Sequence, residues 1–502
     1  MKSIFRATAI LSGSSLVSIL VSLVLAKVMA LYLQPVGYGY YGLLLSFVGL
    51  TSLLAGMGVP TGMVRMGAGA ITRGDQSTIA NLQFASWLLF GILGGLTILL
   101  LSVFHQEISR WALGTSDHGH TILLMGVALL LTVGTNIQVG ILNAHHRVSA
   151  LAKYGIANTA LGAAASIAAV MTWGVRGIVP ALISGTLISY IVAWYFRHRE
   201  IDPPRERPSL GEILKAVRAL LRFGGPFTAS QLVGTGVQLA LPMVVLHLLS
   251  TESVGYYRAA VGISVGYLGF LITAMSQDYY PRLSAIADQP EALVNLINEQ
   301  HRLVMILAAP MILGTLALVP FLVPLVYSLK FAPTVEILEW QMIGDLFKFS
   351  SWTMSYAILA RCGSSAYFLS ELAGGVVNIA ATWFFVGWIG LPGLGISFLV
   401  SYIVYYFIVW LIIRRDIPLV WTRSNKQMML AAVVAALVVR ILPSTRFASF
   451  RTPVGLALAC MAGIPSLFVL FREFQAPNET DSKVRLKGSA RATNATTDLP
   501  DS

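Results

Sequence analysis

The sequence predicts an all-α polytopic membrane protein. Its expected plan is two six-helix lobes related by a pseudo-two-fold axis along the membrane normal, plus about two extra C-terminal transmembrane helices. Three observations predict this. The 502-residue chain is 56% hydrophobic and only 11% charged, against roughly a quarter charged in a soluble domain. Apolar runs of about 20 residues, the length that spans a bilayer as a helix, recur from end to end. Landmarks of the first half return in the second at a nearly constant separation.

The first apolar run extends from Ala7 to Leu33, broken only by Lys27. It is longer than the apolar stretch of a signal peptide, about 7–15 residues, and reads as an uncleaved span. Pro35 and Gly37 in Pro35-Val-Gly-Tyr-Gly-Tyr-Tyr-Gly-Leu-Leu44 predict a tight outer hairpin before the second span. Spans one to six are expected near 9–33, 39–62, 81–104, 121–143, 153–172 and 177–196. Spans seven to twelve are expected near 223–248, 255–279, 303–327, 337–360, 366–389 and 394–413. Two more candidates lie near 427–442 and 452–471; the first is short and carries Arg440.

These spans divide the chain into an N-terminal lobe (1–200), a cytoplasmic linker (201–222), a C-terminal lobe (223–415), an added helix pair (416–472) and a disordered cytoplasmic tail (473–502). Clustered prolines and charges in Asp202-Pro-Pro-Arg-Glu-Arg-Pro208 mark the linker. The tail is polar and without apolar periodicity, so its Asn478-Glu-Thr and Asn494-Ala-Thr sequons face away from glycosylation machinery.

The net charge of +12 does not point to nucleic acid, because the basic residues alternate between loops. Of 34 Lys and Arg, 25 fall on the side of the N-terminus. Five (Arg110, Arg176, Lys330, Arg446 and Arg451) fall on the other side, and Lys27, Arg258, Lys348 and Arg440 lie within spans. This bias places both termini in the cytoplasm. Cys362 and Cys460 sit in or beside spans and imply neither a disulfide framework nor a thiolate metal site.

The repeat is carried by ordered matches. Gly39-Tyr40-Tyr41 returns as Gly255-Tyr256-Tyr257 and Gly177 as Gly393, both 216 residues on. Ser189-Tyr-Ile-Val192 returns as Ser401-Tyr-Ile-Val404, 212 on, and Arg147 as Arg361, 214 on. Six spans per copy keep both copies in one orientation, which requires an axis along the membrane normal. Gly42 and Arg258 occupy the same repeat position. Such halves commonly enclose a site that opens to alternate sides, so the pattern favours transport over a passive scaffold.

Ionisable residues within spans mark candidate site positions, because they cost several kcal/mol unless they face water or a partner. Lys27, Arg65, Arg258, Lys348 and Arg361 would make a basic cavity suited to an anionic headgroup. Asp345 and Lys348 are three residues apart and share a helix face. Asp278, Asp345 and Glu371 are the candidates for ion coupling, with Glu371 also placed to answer Arg361. Tyr40, Tyr41, Tyr256, Tyr257, Trp352 and Tyr356 would stack on sugar rings or form an interfacial belt. Adjacent His145 and His146 do not face one way on a helix, so no metal pair is expected. Gly and Pro in span seven (Pro226, Pro242) and Pro310, Pro320 and Pro324 in span nine predict bent helices.

With these residues in view, the chain resembles the oligosaccharide-lipid flippases (O-antigen translocases) of the multidrug/oligosaccharidyl-lipid/polysaccharide exporter superfamily. The likeness covers about residues 1–415. It is carried by Leu33-Gln-Pro-Val-Gly-Tyr-Gly through Gly56-Met-Gly58, then Tyr280-Pro-Arg-Leu-Ser284, Lys330-Phe-Ala-Pro333, Trp340-Gln-Met-Ile-Gly-Asp-Leu-Phe-Lys348 and Ser401-Tyr-Ile-Val-Tyr405. The last helix pair departs from the usual twelve spans. The resemblance implies a non-enzymatic flippase of the bacterial inner membrane. Its cargo would be undecaprenyl-diphosphate-linked oligosaccharide for surface polysaccharide, moved by alternating access. It implies no cofactor beyond a coupling ion, H+ or Na+, and as partners membrane lipid and the polysaccharide polymerase and chain-length machinery. It gives Asp345 and Lys348 the strongest claim to a cavity role. From the charge pattern itself, a diphosphate is expected to favour the inward-open state and protonation of Asp345 or Asp278 to reset it. Two alternatives stand beside it. A multidrug exporter would favour a more acidic or apolar cavity. A membrane glycan polymerase or ligase, an enzyme, would carry a large outer loop.

Overall fold

The computed structural model describes the backbone of residues 2–203, 208–442 and 451–475. Residues 204–207 at the centre of the expected linker, Arg446, and the tail from 476, with Asn478 and Asn494, lie outside the described residues. Among the described residues the chain is helical throughout, with no strand. Nine segments among them are long and apolar enough to cross a membrane, and two of these, Val17–Gly56 and Val148–Glu200, each contain a consecutive helix pair.

The N-terminal lobe comprises α1 (Lys2–Gly56), α2 (Val59–Thr72), α3 (Gln76–Leu113), α4 (Gly119–Ala144), α5 (Val148–Trp173) and α6 (Ile178–Glu200). The C-terminal lobe comprises α7 (Leu210–Leu248), α8 (Thr251–Ala274), a short α9 (Tyr280–Ala285), α10 (Pro290–Val326), α11 (Thr334–Arg361), α12 (Ser364–Ile389) and α13 (Gly393–Ile413). The added pair is α14 (Arg423–Ile441) and α15 (Arg451–Gln475). Below, the basic side is the side holding most Lys and Arg, and the far side is its opposite.

Three local expectations are corrected. The first two spans reverse at a single residue, Gln34 (φ 56°, ψ −179°), and the chain is already helical from Pro35. Proline supplies the φ of a first helical turn and lacks the N–H that a first turn leaves unbonded. The tyrosines therefore sit on a helix rather than in a hairpin. Span two ends at Gly56, where Met57 (φ 43°) and Gly58 (φ 66°) turn the chain into α2. The linker expected over 201–222 is helical from Leu210. Ser209 caps α7 by accepting from the Glu212 N–H, and Glu212 accepts in return from the Ser209 N–H; this reciprocal box starts the helix.

The lobes share one apolar core in their far halves only. Far-side residues of the N-terminal lobe (Met29, Leu33, Leu44, Phe47, Leu101, Ile122) join the core of the C-terminal lobe. In its basic half the N-terminal lobe has a separate core around Met63, Leu82, Leu89, Ile137 and Ile141. Among the described residues, α7 is what reaches it from the other lobe, through Leu220 and its neighbours. The fold is therefore closed toward the far side and divided toward the basic side, with α7 bridging the lobes.

The prolines of α7 and α10 lie inside continuous helices. α11 is rich in polar residues and is sheathed by protein, with Glu339, Gln341, Asp345, Ser350, Ser351, Thr353 and Ser355 all buried. A polar helix can cross a membrane when neighbouring helices cover it. The added pair docks on the C-terminal lobe, α14 and α15 packing against α10. Arg440, the charge within α14, is ion-paired with Glu339 (2.8 Å) and Glu336 (3.6 Å) and lies 5.1 Å from the Trp340 ring centre.

Candidate functional site at the lobe interface

The pseudo-two-fold relation is visible in contacts between equivalent residues. Gly39 and Gly255, 216 apart, face each other where α1 meets α8. A Cβ on Gly39 would lie 2.1 Å from the Thr251 carbonyl oxygen, and one on Gly255 would lie 2.0 Å from the Pro35 carbonyl oxygen. Pro35 and Thr251 are themselves 216 apart. The contact is thus reciprocal, and both positions must be glycine for the backbones to approach this closely. The preference of the repeat for Gly-Tyr-Tyr follows. The glycine sets the helix–helix distance and the flanking tyrosines fill the space around it.

One turn along, Gly42 faces its own equivalent, Arg258. A Cβ on Gly42 would lie 2.8 Å from both Cγ and Nε of Arg258. Arg258 donates to the Gly42 carbonyl oxygen (2.6 Å) and closely to the Ser46 hydroxyl. The first lobe thus gives up its side chain at the position where the second reaches across. A second tie runs the other way: Lys27 of α1 donates to the Pro324 carbonyl oxygen (2.9 Å) near the C-terminus of α10. Carbonyls in a last helical turn lack intrahelical partners and carry partial negative charge, so an ammonium is favoured there. Each lobe therefore sends one cation to a backbone carbonyl of the other, on either side of the glycine contact. Among the described residues neither cation is ion-paired with a carboxylate.

The other three expected cations lie elsewhere. Arg65, on α2, is at the basic side, its guanidinium 4.8 Å from the Phe223 ring centre. Lys348 points into the C-terminal lobe, 3.8 Å from Asp345 and within 5.0–5.5 Å of the ring centres of Trp352, Phe398 and Tyr402. Arg361 ends α11, donating to the Ala287 carbonyl (2.9 Å) and Asp288 (3.1 Å). The five cations thus occupy the lobe interface, the basic side and the interior of one lobe rather than a single cavity.

The coupling candidates divide likewise. Asp345 is fully buried and accepts from the Ser264 hydroxyl (3.0 Å) as well as facing Lys348. Glu371 accepts from the Tyr405 hydroxyl in a short hydrogen bond and from Ser355 (3.3 Å). It does not answer Arg361, whose carboxylate partner is Asp288. Asp278 is exposed on the basic side and pairs with Arg282 (3.4 Å), one turn on. The aromatic candidates make contacts within the protein: Tyr40 donates to Thr121, Tyr256 to Glu252, and Tyr356 packs on Tyr279 and Tyr280.

Ser46, Ser264, Ser355 and Glu339 were not singled out from sequence. Only Ser46 carried a signal, lying four residues after Gly42 and so on the same helix face. Among the described residues no group of three or more His, Cys, Asp or Glu side chains is placed to hold a metal ion.

Comparison with known proteins fits this architecture. A family model described as polysaccharide biosynthesis protein matches residues 28–336, more than half of the chain. The lipid III flippase of Escherichia coli (strain K12) is 22% identical over 417 residues, covering 80% of this chain and 96% of that protein. Among solved structures, the lipid II flippase MurJ in an inward closed conformation superposes with a TM-score of 0.68. It is 12% identical and covers 94% of this chain and 99% of its own. An inward-facing multidrug resistance MATE family transporter of the MOP superfamily superposes with a TM-score of 0.66. It is 17% identical and covers 82% and 96%. The match over residues 28–336, on a two-lobe membrane fold shared with these transporters, makes the chain a member of the polysaccharide biosynthesis protein family.

Proposed function

We propose that the chain is a flippase that carries undecaprenyl-diphosphate-linked oligosaccharide across the bacterial inner membrane by alternating access, for surface polysaccharide assembly. On this reading the basic side and both termini are cytoplasmic, in keeping with the charge bias. The family match and the flippase named among its relatives support the class of cargo. The observation that carries the reading is the core shared in the far halves and divided in the basic halves, with two cations tied across the closed end.

The chemistry follows from what those cations hold. Arg258 and Lys27 are bonded to neutral oxygens, and charge-assisted bonds to phosphate are roughly twice as strong as bonds to neutral groups. A diphosphate entering between the lobes would compete for both. Drawing Arg258 away from Gly42 and Ser46 would loosen α1 from α8 and favour opening of the far side. A ligand shifts such an equilibrium only through unequal affinity for the two states, and this exchange of partners supplies the inequality. Asp345 with Lys348 and Glu371 with Tyr405 are the proposed sites at which a coupling ion resets the C-terminal lobe. Among the described residues no carboxylate is ion-paired to Arg258 or Lys27, which suits an anionic cargo better than the organic cations of a drug exporter.

The test is genetic. In a strain lacking the gene, lipid-linked sugar should accumulate on the inner leaflet and surface glycan should fall. Expression of wild type should reverse both, and expression of K27A/R258A at equal protein level should reverse neither. Full complementation by the double variant would refute the role assigned to the ties.

A further inference from the structure

A cavity of about 490 Å³ opens on the basic side between α2, α3 and the first turns of α7. Arg65 and Arg73 enter it from α2 and its C-cap, Lys215 from α7, and Asn81 from α3. It is distinct from the Gly39–Gly255 contact, which lies near the Gln34 reversal on the far side. The one acid on its wall is Glu212, and its Oε2 is already engaged by the Ser209 N–H (3.1 Å) and hydroxyl (3.0 Å). Among the described residues no carboxylate lies within ion-pair distance of Arg65, Arg73 or Lys215.

The second lobe provides the contrast. On its basic side, Arg282 pairs with Asp278 and Arg361 with Asp288. Two cations of that side are thus held by carboxylates, whereas Arg65 and Arg73 of the N-terminal lobe and Lys215 of α7 gather around one cavity. The Phe223 ring, 4.8 Å from the Arg65 guanidinium carbon, holds that group in place.

We propose that this cavity binds a phosphate-bearing headgroup of the leaflet on the basic side. Two guanidinium forks and one ammonium match a phosphodiester, the planar forks giving direction and the lysine a point charge. Asn81 adds a neutral donor and acceptor for a headgroup hydroxyl. Its walls join the N-terminal lobe to α7, which reaches that lobe's basic-half core from the other lobe. A bound headgroup therefore fastens α7 to the N-terminal lobe and favours the far-side-closed arrangement. Anionic lipid acts here as a modulator, at a place separate from the cargo.

The experiment uses the full chain in nanodiscs of phosphatidylcholine, with and without phosphatidylglycerol. Bound lipid is counted by native mass spectrometry, and sn-glycerol 3-phosphate serves as a soluble competitor. Wild type should bind phosphatidylglycerol in preference to phosphatidylcholine. At roughly fivefold per basic residue near a membrane surface, R65Q/R73Q/K215Q should bind it on the order of 100-fold more weakly. K215Q alone, at an exposed helical position, should lose about fivefold and keeps the test decisive should the triple variant not fold. Competition by glycerol phosphate at matched concentration would assign the site to free phosphate compounds; its failure would assign the site to the lipid. No preference for phosphatidylglycerol in wild type, or unchanged binding in both variants, overturns the proposal.

Discussion

Replacing Gly255 by alanine tests the closed far side most locally. The new Cβ would sit 2.0 Å from the Pro35 carbonyl oxygen and 2.8 Å from its carbon. Both are backbone atoms of a neighbouring helix, so no rotamer change relieves the clash. Reaching ordinary van der Waals contact, 3.4 Å, moves α1 and α8 apart by about 1.4 Å at this point. Overpacking of this kind costs about 1–3 kcal/mol. Here it falls on one conformation only, because helices already separated have room for a methyl group. The closed state should therefore lose about 5–150-fold in population relative to the open one. Spin labels at Val36→Cys and Glu252→Cys, flanking the contact on a cysteine-free background, report the far-side distance by pulsed electron paramagnetic resonance. G255A should enlarge the longer-distance population, and G39A should do the same, since its Cβ would lie 2.1 Å from the Thr251 oxygen. At Gly49 and Gly266 an added Cβ would meet no atom within 4 Å, so G49A and G266A should leave the distribution unchanged. An unaltered distribution in folded G255A and G39A would refute the closure reasoning.

Two further outcomes are expected. R440M should lower the thermal stability of the detergent-solubilised protein by several kcal/mol, because it strips the cation from the buried Glu339 carboxylate; R440M/E339Q should recover much of the loss, and equal melting of the two variants would count against the pair. The Cys362 thiol is pushed up to about 11 by burial and by the Asp416 carboxylate that accepts its hydrogen bond at 3.2 Å. Both disfavour the thiolate, so maleimide should label Cys362 slowly at neutral pH and faster as pH rises, and D416N on a C460S background should speed labelling; labelling indifferent to both would overturn this.

Part of this arrangement was legible in the sequence. Apolar runs located the helices, because a span that faces lipid must be apolar. The separation of 216 residues identified Gly39 with Gly255 and Gly42 with Arg258 before any contact was known. That equivalent residues touch was not legible: a repeat gives correspondence, and only the position of the axis decides whether partners meet. The partners of Arg258 and Lys27 were hidden for another reason. Each cation holds a backbone carbonyl, and a carbonyl has no letter in the sequence. The same limit explains why five cations were expected in one cavity. Depth along a helix can be counted, but facing cannot when a span is apolar on every side. Lys348 and Asp345 were correctly placed on one face of their helix, yet that face turns into its own lobe. Glu339 and Arg440 come from helices a hundred residues apart, and neither segment announces the other. The helical start of α7 was missed because the prolines and charges just ahead of it read as linker, although Leu210, Ile213, Leu214, Val217 and Leu221 recur at helical spacing and Ser209 and Glu212 stand at capping-box spacing.

The central claim is that an anionic lipid-linked sugar crosses between the lobes and that Arg258 answers its diphosphate. The direct measurement is translocation of a fluorescent undecaprenyl-diphosphate disaccharide in proteoliposomes containing the purified full-length protein. Wild type should move it from one leaflet to the other, and should fail to move the same sugar on an uncharged polyprenol. R258Q should lose most of the rate while keeping its fold, with R258K retaining a part of it. Equal transport of charged and uncharged lipid, or an undiminished rate in R258Q, would contradict the account.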